Sequence, residues 1–191
     1  MIIHLTSSRT SVVKDIATLR QIIAIIHKLG HVLARDWVEP QYHISTTRNA
    51  PEMPTAQVYK QSMDAIDRAD LIIVEGSEKS FGCGLQVATA LQKKKPTLLL
   101  IEKSRAKNQS AIAEGLSDPI FTRKIYDKQE IEHIVAEFIK DNTVSTKDLR
   151  FNFVIDRQLY NHIRWKSFRA RKTKAEVVRE LLLRDMEKEE E

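Results

Sequence analysis

Few residues in this chain have types and spacings suited to chemistry. Ala69–Gln86 reads ADLIIVEGSEKSFGCGLQ. Ser80, Gly82 and Gly84 stand where a helix should begin, so a hydroxyl and free backbone N–H groups would converge on an anion. Ordinary βα turns that hold no ligand share this pattern. The one cysteine, Cys83, lies in the same turn and excludes an intramolecular disulfide. His27 and His31 are four apart, but Gly30 intervenes and argues against a metal pair. No metal-ligand or cofactor motif is expected. Residues 150–185 hold ten Lys and Arg against four Asp and Glu, a net of +6. That excess suits nucleic acid, although solvated helical faces can carry it too.

The elements that must position these groups follow from periodicity. Leu71–Val74 is a short apolar, β-branched run, as in a strand covered on both faces. Further strands are expected at Ile2–Leu5, from His31, at Thr97–Ile101 and at Phe121–Tyr126. Helices are expected over Val12–Leu29, Thr55–Arg68, from the turn to about Lys94, and over Lys128–Lys140. Residues 35–55, with Pro40, Pro51 and Pro54, read as a long loop in which Trp37 and Tyr42 would stack on a base or pack on the sheet. The alternation predicts an α/β fold, a Rossmann-like parallel five-stranded sheet flanked by helices. A small C-terminal β-α-α module follows it. The expected division is a domain over 1–140, a linker over 141–148 and a second domain over 149–191.

Tyr59, Ala69-Asp70, Val74-Glu75 and Ser80-Phe81-Gly82-Cys83-Gly84 carry a resemblance. In this order and spacing the chain resembles the nucleoside 2-deoxyribosyltransferase superfamily. It is closest to the branch that hydrolyses the N-glycosidic bond of deoxynucleoside monophosphates. The resemblance implies a nucleotide pocket in which Ser7, Arg9, Tyr59, Ser80, Gly82, Gly84 and Ser110 bind the ligand. It implies phosphate contacts from Ser80 and Arg9, with Ser110 supplied by a neighbouring subunit. The catalytic carboxylates depart from the pattern. Their places are held by Ser62 and Gln86, and the first loop is serine-rich where the family has glycine. A retaining N-glycosidase needs a carboxylate at the anomeric carbon, and neither replacement supplies one. Other acids nearby are Glu75, at a strand end, and Asp64, which at two residues from position 62 is about 200° around a helix and should point away.

At the other end, Phe151, Phe153 and Ile155 alternate with Arg150, Asn152 and Val154 as on a strand. Asp156 suits a helix cap, and Thr173 with Glu176 forms a capping box for a second helix. Leu159, Ile163 and Phe168 are expected to face inward. From residue 149 the chain resembles the ribbon-helix-helix family, whose strands pair between two chains and enter the major groove of DNA. Arg171 stands where that family usually has glycine. The resemblance implies base contacts from Arg150, Asn152 and Val154, and phosphate contacts from Arg171, Lys172, Thr173 and Lys174.

The 191 residues carry a net charge of +5, and no apolar run is long enough to span a bilayer. A reducing, cytoplasmic setting is expected. Together these features predict a DNA-binding transcriptional regulator, acting as a homodimer or larger homo-oligomer on double-stranded DNA. Its first domain would be catalytically inactive and would sense a deoxynucleoside monophosphate or related nucleotide. The alternatives are an active, divergent nucleotide N-glycosidase or deoxyribosyltransferase, and an oligomeric assembly module.

Overall fold

A computed structural model describes residues 1–108, 111–143 and 154–189. The chain divides into two compact units, Met1–Thr143 and Val144–Glu191.

The first unit is built on five parallel strands. They are β1 (Ile2–Ser7), β2 (Val32–Leu33), β3 (Leu71–Glu75), β4 (Thr97–Glu102) and β5 (Phe121–Tyr126). Their order is β2-β1-β3-β4-β5. β1 pairs with β2 on one side and β3 on the other, so the connections reverse direction between β1 and β3. In open α/β sheets, that reversal opens a crevice at the carboxyl ends of the strands.

Every residue of β3 is buried, as its unbroken apolar run predicts. Its side chains alternate between two cores. Leu71 and Ile73 join Ile3, Leu5, Leu98 and Leu100 beneath α2 (Ile16–Lys28) and α7 (Ile131–Asp141). Ile72 and Val74 join Leu99 and Ile101 beneath α4 (Thr55–Arg68) and α5 (Phe81–Gln92). Of the turn glycines, Gly76 is the one that sterics require. A Cβ there would lie 2.5 Å from Leu99 Cδ1, whereas one on Gly84 would meet nothing.

Two expectations fail here. The single helix expected over Val12–Leu29 is two helices, α1 (Arg9–Lys14) and α2, broken at Asp15. Ser8 starts α1 early by accepting the Ser11 N–H, and Asp15 sits at φ −145°, outside helical geometry. The stretch 35–55 is not all loop, because Val38–Thr46 forms α3. Pro40 falls in its first turn, where no intrahelical N–H is needed. A short 3₁₀ turn covers Lys103–Asn108, and α6 spans Ala111–Gly115.

In the second unit, α8 (Arg157–Ala170) and α9 (Lys174–Glu189) form a helical pair. Asp156 caps α8 through a 2.7 Å bond from the Leu159 N–H. Arg171 adopts the left-handed conformation at φ 53° and ends that helix. Ile163 and Val177 are buried, but Phe168 is 87% exposed and Leu159 is also exposed, against expectation. Two helices offer too little apolar surface to enclose either side chain. The expected strand falls largely outside the described residues, including Arg150 and Asn152, and Val154 is fully exposed.

Candidate functional site

A cavity of about 710 Å³ opens at the crevice between β1 and β3. Each wall comes from a different element. β1 contributes His4, Thr6 and Ser7, and Arg9 follows at the start of α1. The segment after β2 contributes Arg35, Asp36 and Trp37. Helix α4 contributes Val58, Ser62, Asp64 and Arg68, and the start of α5 contributes Ser80, Gly82, Cys83 and Gln86.

The helix start forms as the turn predicts. Ser80 is extended, at φ −149° and ψ 126°, and its hydroxyl accepts the Cys83 N–H at 3.3 Å. The first-turn N–H groups of Phe81 and Gly82 have no intrahelical acceptor. They and the positive end of the helix dipole favour a negative group there. Ser80→Ala is expected to cost about 1 kcal/mol of N-terminal-unit stability through the lost cap, read as a lower denaturation midpoint in urea.

The cavity's other end holds the two replaced positions, and both are engaged. Arg35 Nη1 donates to Ser62 Oγ at 3.1 Å, and Ser62 in turn donates to the Val58 carbonyl at 2.8 Å. His4 Nε2 lies 2.9 Å from Gln86 Oε1. An amide oxygen only accepts, so His4 carries its proton on Nε2. That leaves the Gln86 NH₂ group as the donor available for a ligand.

His4 is 1% exposed and its Nδ1 has no partner. Burial draws its pKa below the ordinary value, opposed by the Gln86 bond and aided by the charge of Arg35. The unfolded chain therefore binds a proton at His4 that the folded chain resists. Stability from this group is present above the ordinary imidazole range and is lost as pH falls through it. Thermal midpoints should drop between pH 7 and pH 5, and His4→Asn should flatten that drop. His31 shares the direction of shift, mainly from burial, so the difference between protein and variant isolates His4.

Several expected ligand residues are placed differently. Tyr59 is 59% exposed and does not line the cavity. Gly84 lines a separate apolar groove beside Phe81 and Leu85. Ser110 lies outside the described residues. Ser7 lines the cavity, but its hydroxyl lies 2.9 Å from the Glu75 carbonyl and 3.2 Å from its Oε2. Arg9 lines the cavity while paired with Glu52 at 3.1 Å on the surface. Such a pair is weak, so a ligand phosphate can displace it.

Glu75 is 3% exposed and does not reach the cavity. Its Oε1 accepts from the Ser77 N–H at 3.1 Å and the Tyr126 hydroxyl at 3.4 Å. These bonds hold the carboxylate within the core. Asp64, expected to point away, does line the cavity, which is wide enough to reach the flank of α4. Asp36 was missed because no motif surrounds it. Among the described residues, no hydrogen bond or ion pair engages the carboxylate of Asp36 or Asp64. Burial pushes the Cys83 thiol up to about 11, which disfavours the thiolate that a nucleophile needs. Among the described residues no His, Cys, Asp or Glu cluster is placed to hold a metal ion.

The expected phosphate contacts at the start of α9 are occupied internally. The Thr173 N–H donates to Glu176 at 2.7 Å, closing the capping box. Lys172 pairs with Glu180. Lys174 donates to the Tyr160 hydroxyl at 2.9 Å and lies over its ring. Arg171 serves as the left-handed cap.

No protein-family model matches the chain. Curated relatives do. A protein of Esox lucius named 5-hydroxymethyl-dUMP N-hydrolase is 25% identical over 134 residues, which is 66% of this chain and 88% of that protein. Its namesake from Danio rerio is 22% identical, over 68% of this chain and 90% of that protein. Among solved structures, a CMP N-glycosidase of Clostridium botulinum superposes with a TM-score of 0.53 at 17% identity. The match covers 72% of this chain and 99% of that one, and it shows the fold.

These relatives support the resemblance to the nucleoside deoxyribosyltransferase-like superfamily. They overturn the expected DNA-binding regulator, because they are named for cleaving nucleotides. Nor do they lend support to a catalytically silent domain. No helix among the described residues is long and apolar enough to cross a membrane.

Proposed function

We propose that the first unit is a nucleotide N-glycosidase, acting on a nucleoside monophosphate held in the cavity between β1 and β3. The observation that carries this reading is the convergence of an anion-binding helix start with two unpaired carboxylates, Asp36 and Asp64. The 5′-phosphate sits at the N-terminus of α5, against Ser80 and within reach of Arg9. The sugar extends toward Ser62 and Gln86. Relatives named as nucleotide N-hydrolases support the substrate class.

Gln86 cannot form a covalent glycosyl intermediate, so water attacks directly. Asp64 or Asp36 takes a proton from that water as its oxygen bonds to the anomeric carbon. The C–N bond breaks, and its electron pair leaves with the base, which gains a proton. Trp37 forms part of the wall beside the reacting centre. Its indole N–H is held by the Leu5 carbonyl at 2.8 Å, which fixes the ring in place.

The test is chromatographic detection of free base from a panel of deoxyribo- and ribonucleoside monophosphates. Release by the purified chain, reduced about a hundredfold or more in Asp64→Asn or Asp36→Asn, is the expected result. No release from any member of the panel overturns the reading. Self-association is part of the same proposal. Phe81, at 89% exposure, with Leu85 and Leu116, presents an apolar face for a second copy. Analytical ultracentrifugation tests it, and a monomer at micromolar concentration would remove it.

A further inference from the structure

Arg35 is a half-buried guanidinium without a counter-ion among the described residues. Its one hydrogen bond among the described residues goes to a neutral acceptor, Ser62 Oγ. The other two arginines lining the cavity are satisfied. Arg9 has Glu52, and Arg68 donates to the carbonyls of Ala34 and Asp64 at 3.0 and 3.3 Å. No carboxylate stands within ion-pair distance of Arg35 among the described residues, although Asp36 is its chain neighbour.

Removing a charge from water is costly unless an opposite charge or several hydrogen bonds replace the solvent. Burial alone accounts for the lowered proton affinity of this guanidinium. Asp36 and Asp64 line the same cavity, but neither pairs with this guanidinium among the described residues. Gln86 offers its NH₂ because His4 occupies its oxygen. Ser62 spends its one proton on the Val58 carbonyl, so the donors offered at this end of the cavity are the Arg35 guanidinium and the Gln86 amide, from two elements.

This end is distinct from the helix start at Ser80. Six residues separate Ser80 from Gln86 along α5, about 9 Å at the helical rise. One anionic group cannot serve both ends.

We infer that Arg35, with the Gln86 amide, binds a second anionic group of the ligand, which displaces Ser62 as the acceptor of the guanidinium. The nucleotide would then carry a phosphate or carboxylate on its sugar or base in addition to the 5′-phosphate. This inference rests on the nucleotide reading of the cavity, but not on turnover. A charge-assisted bond from a guanidinium to such a group is bidentate in its best geometry, which gives selectivity as well as affinity.

The test is calorimetric titration of the full chain with three probes. They are a deoxynucleoside 5′-monophosphate, the matching 3′,5′-bisphosphate, and a nucleoside 5′-monophosphate bearing a carboxylate on the base. One of the doubly anionic probes should bind about tenfold or more tightly than the plain monophosphate. Preference for the bisphosphate places the group on the sugar, and preference for the carboxylate places it on the base. Arg35→Gln should bring the ratio near one, and Arg35→Lys should retain part of it.

Equal affinity for all three probes, no binding of any, or a preference that survives Arg35→Gln would overturn the inference. The comparison among probes uses the unaltered protein, so it stands even if a variant folds poorly. Base release is followed on the same probes. Release without preference overturns this inference alone. Preference without release supports it and counts against the glycosidase reading.

Discussion

Gln86→Glu is expected to raise the rate of base release by about a hundredfold. The resemblance places a catalytic glutamate at this position, and the structure puts the side chain on the cavity wall. The substitution preserves length and shape and adds a negative charge. That carboxylate gains the His4 Nε2–H as a donor in a ready-made contact, since the amide already accepts at 2.9 Å. Arg35, whose charge is felt at His4, supplies a nearby countercharge. An ionised carboxylate can attack or shield the anomeric carbon, which an amide cannot, and such groups contribute factors of about 10² to 10⁴. The measurement is kcat/KM for base release, with the pH profile.

A carboxylate beside His4 opposes the effect of burial and raises the imidazole pKa relative to the unaltered protein. The pH–rate profile should therefore gain a limb near neutrality. An unchanged rate with a native melting profile would mean that water activation at Asp64 or Asp36 is the sole route. The same change should weaken binding of a doubly anionic ligand, because a carboxylate then replaces the Gln86 donor.

Glu75→Leu is expected to destabilise the first unit by about 3 kcal/mol without touching the chemistry. Glu75 was a candidate acid from its place at a strand end, yet its carboxylate faces Ser7, the Ser77 N–H and Tyr126. Tyr126 is itself fully buried, and burial with the nearby Glu75 charge holds its phenol protonated. Ser7 keeps the Glu75 carbonyl, but the Ser77 N–H and the Tyr126 hydroxyl lose this acceptor, at about 1–3 kcal/mol each and with partial relief from rearrangement. Urea denaturation reads the loss. Tyr126→Phe removes one of these bonds and should cost only about 1 kcal/mol. If Glu75→Gln keeps its midpoint but loses base release, Glu75 belongs to the chemistry and the structural assignment fails.

The basic C-terminal stretch makes several contacts within itself. Ten Lys and Arg in a short segment suggest phosphate contacts. In the structure Lys172 and Lys174 contact Glu180 and Tyr160, and the Thr173 N–H donates to Glu176. A capping box and an anion site compete for the same first-turn N–H groups. The T-x-x-E pattern was readable, and its consequence for a phosphate follows from it.

The sequence by itself determined what local physics sets. The unbroken apolar run at Leu71–Val74 required a strand buried on both faces. The spacing over Thr55–Arg68 required an amphipathic helix. Ser80, Asp156 and the Thr173–Glu176 pair marked helix starts within a turn of where they occur. Each rests on contacts between residues a few positions apart. Tertiary structure decided what depends on distant segments. Arg35 and Ser62 are 27 residues apart and His4 and Gln86 are 82 apart, and none of the four carries a local signal of its partner. Asp36 joined the candidate acids, and Asp64, expected to point away, came to line the cavity, only when the reversal between β1 and β3 opened the crevice. A motif fixes backbone conformation through its neighbours, whereas the sign of a cavity floor is set by which strand ends and helix flanks the sheet order brings together.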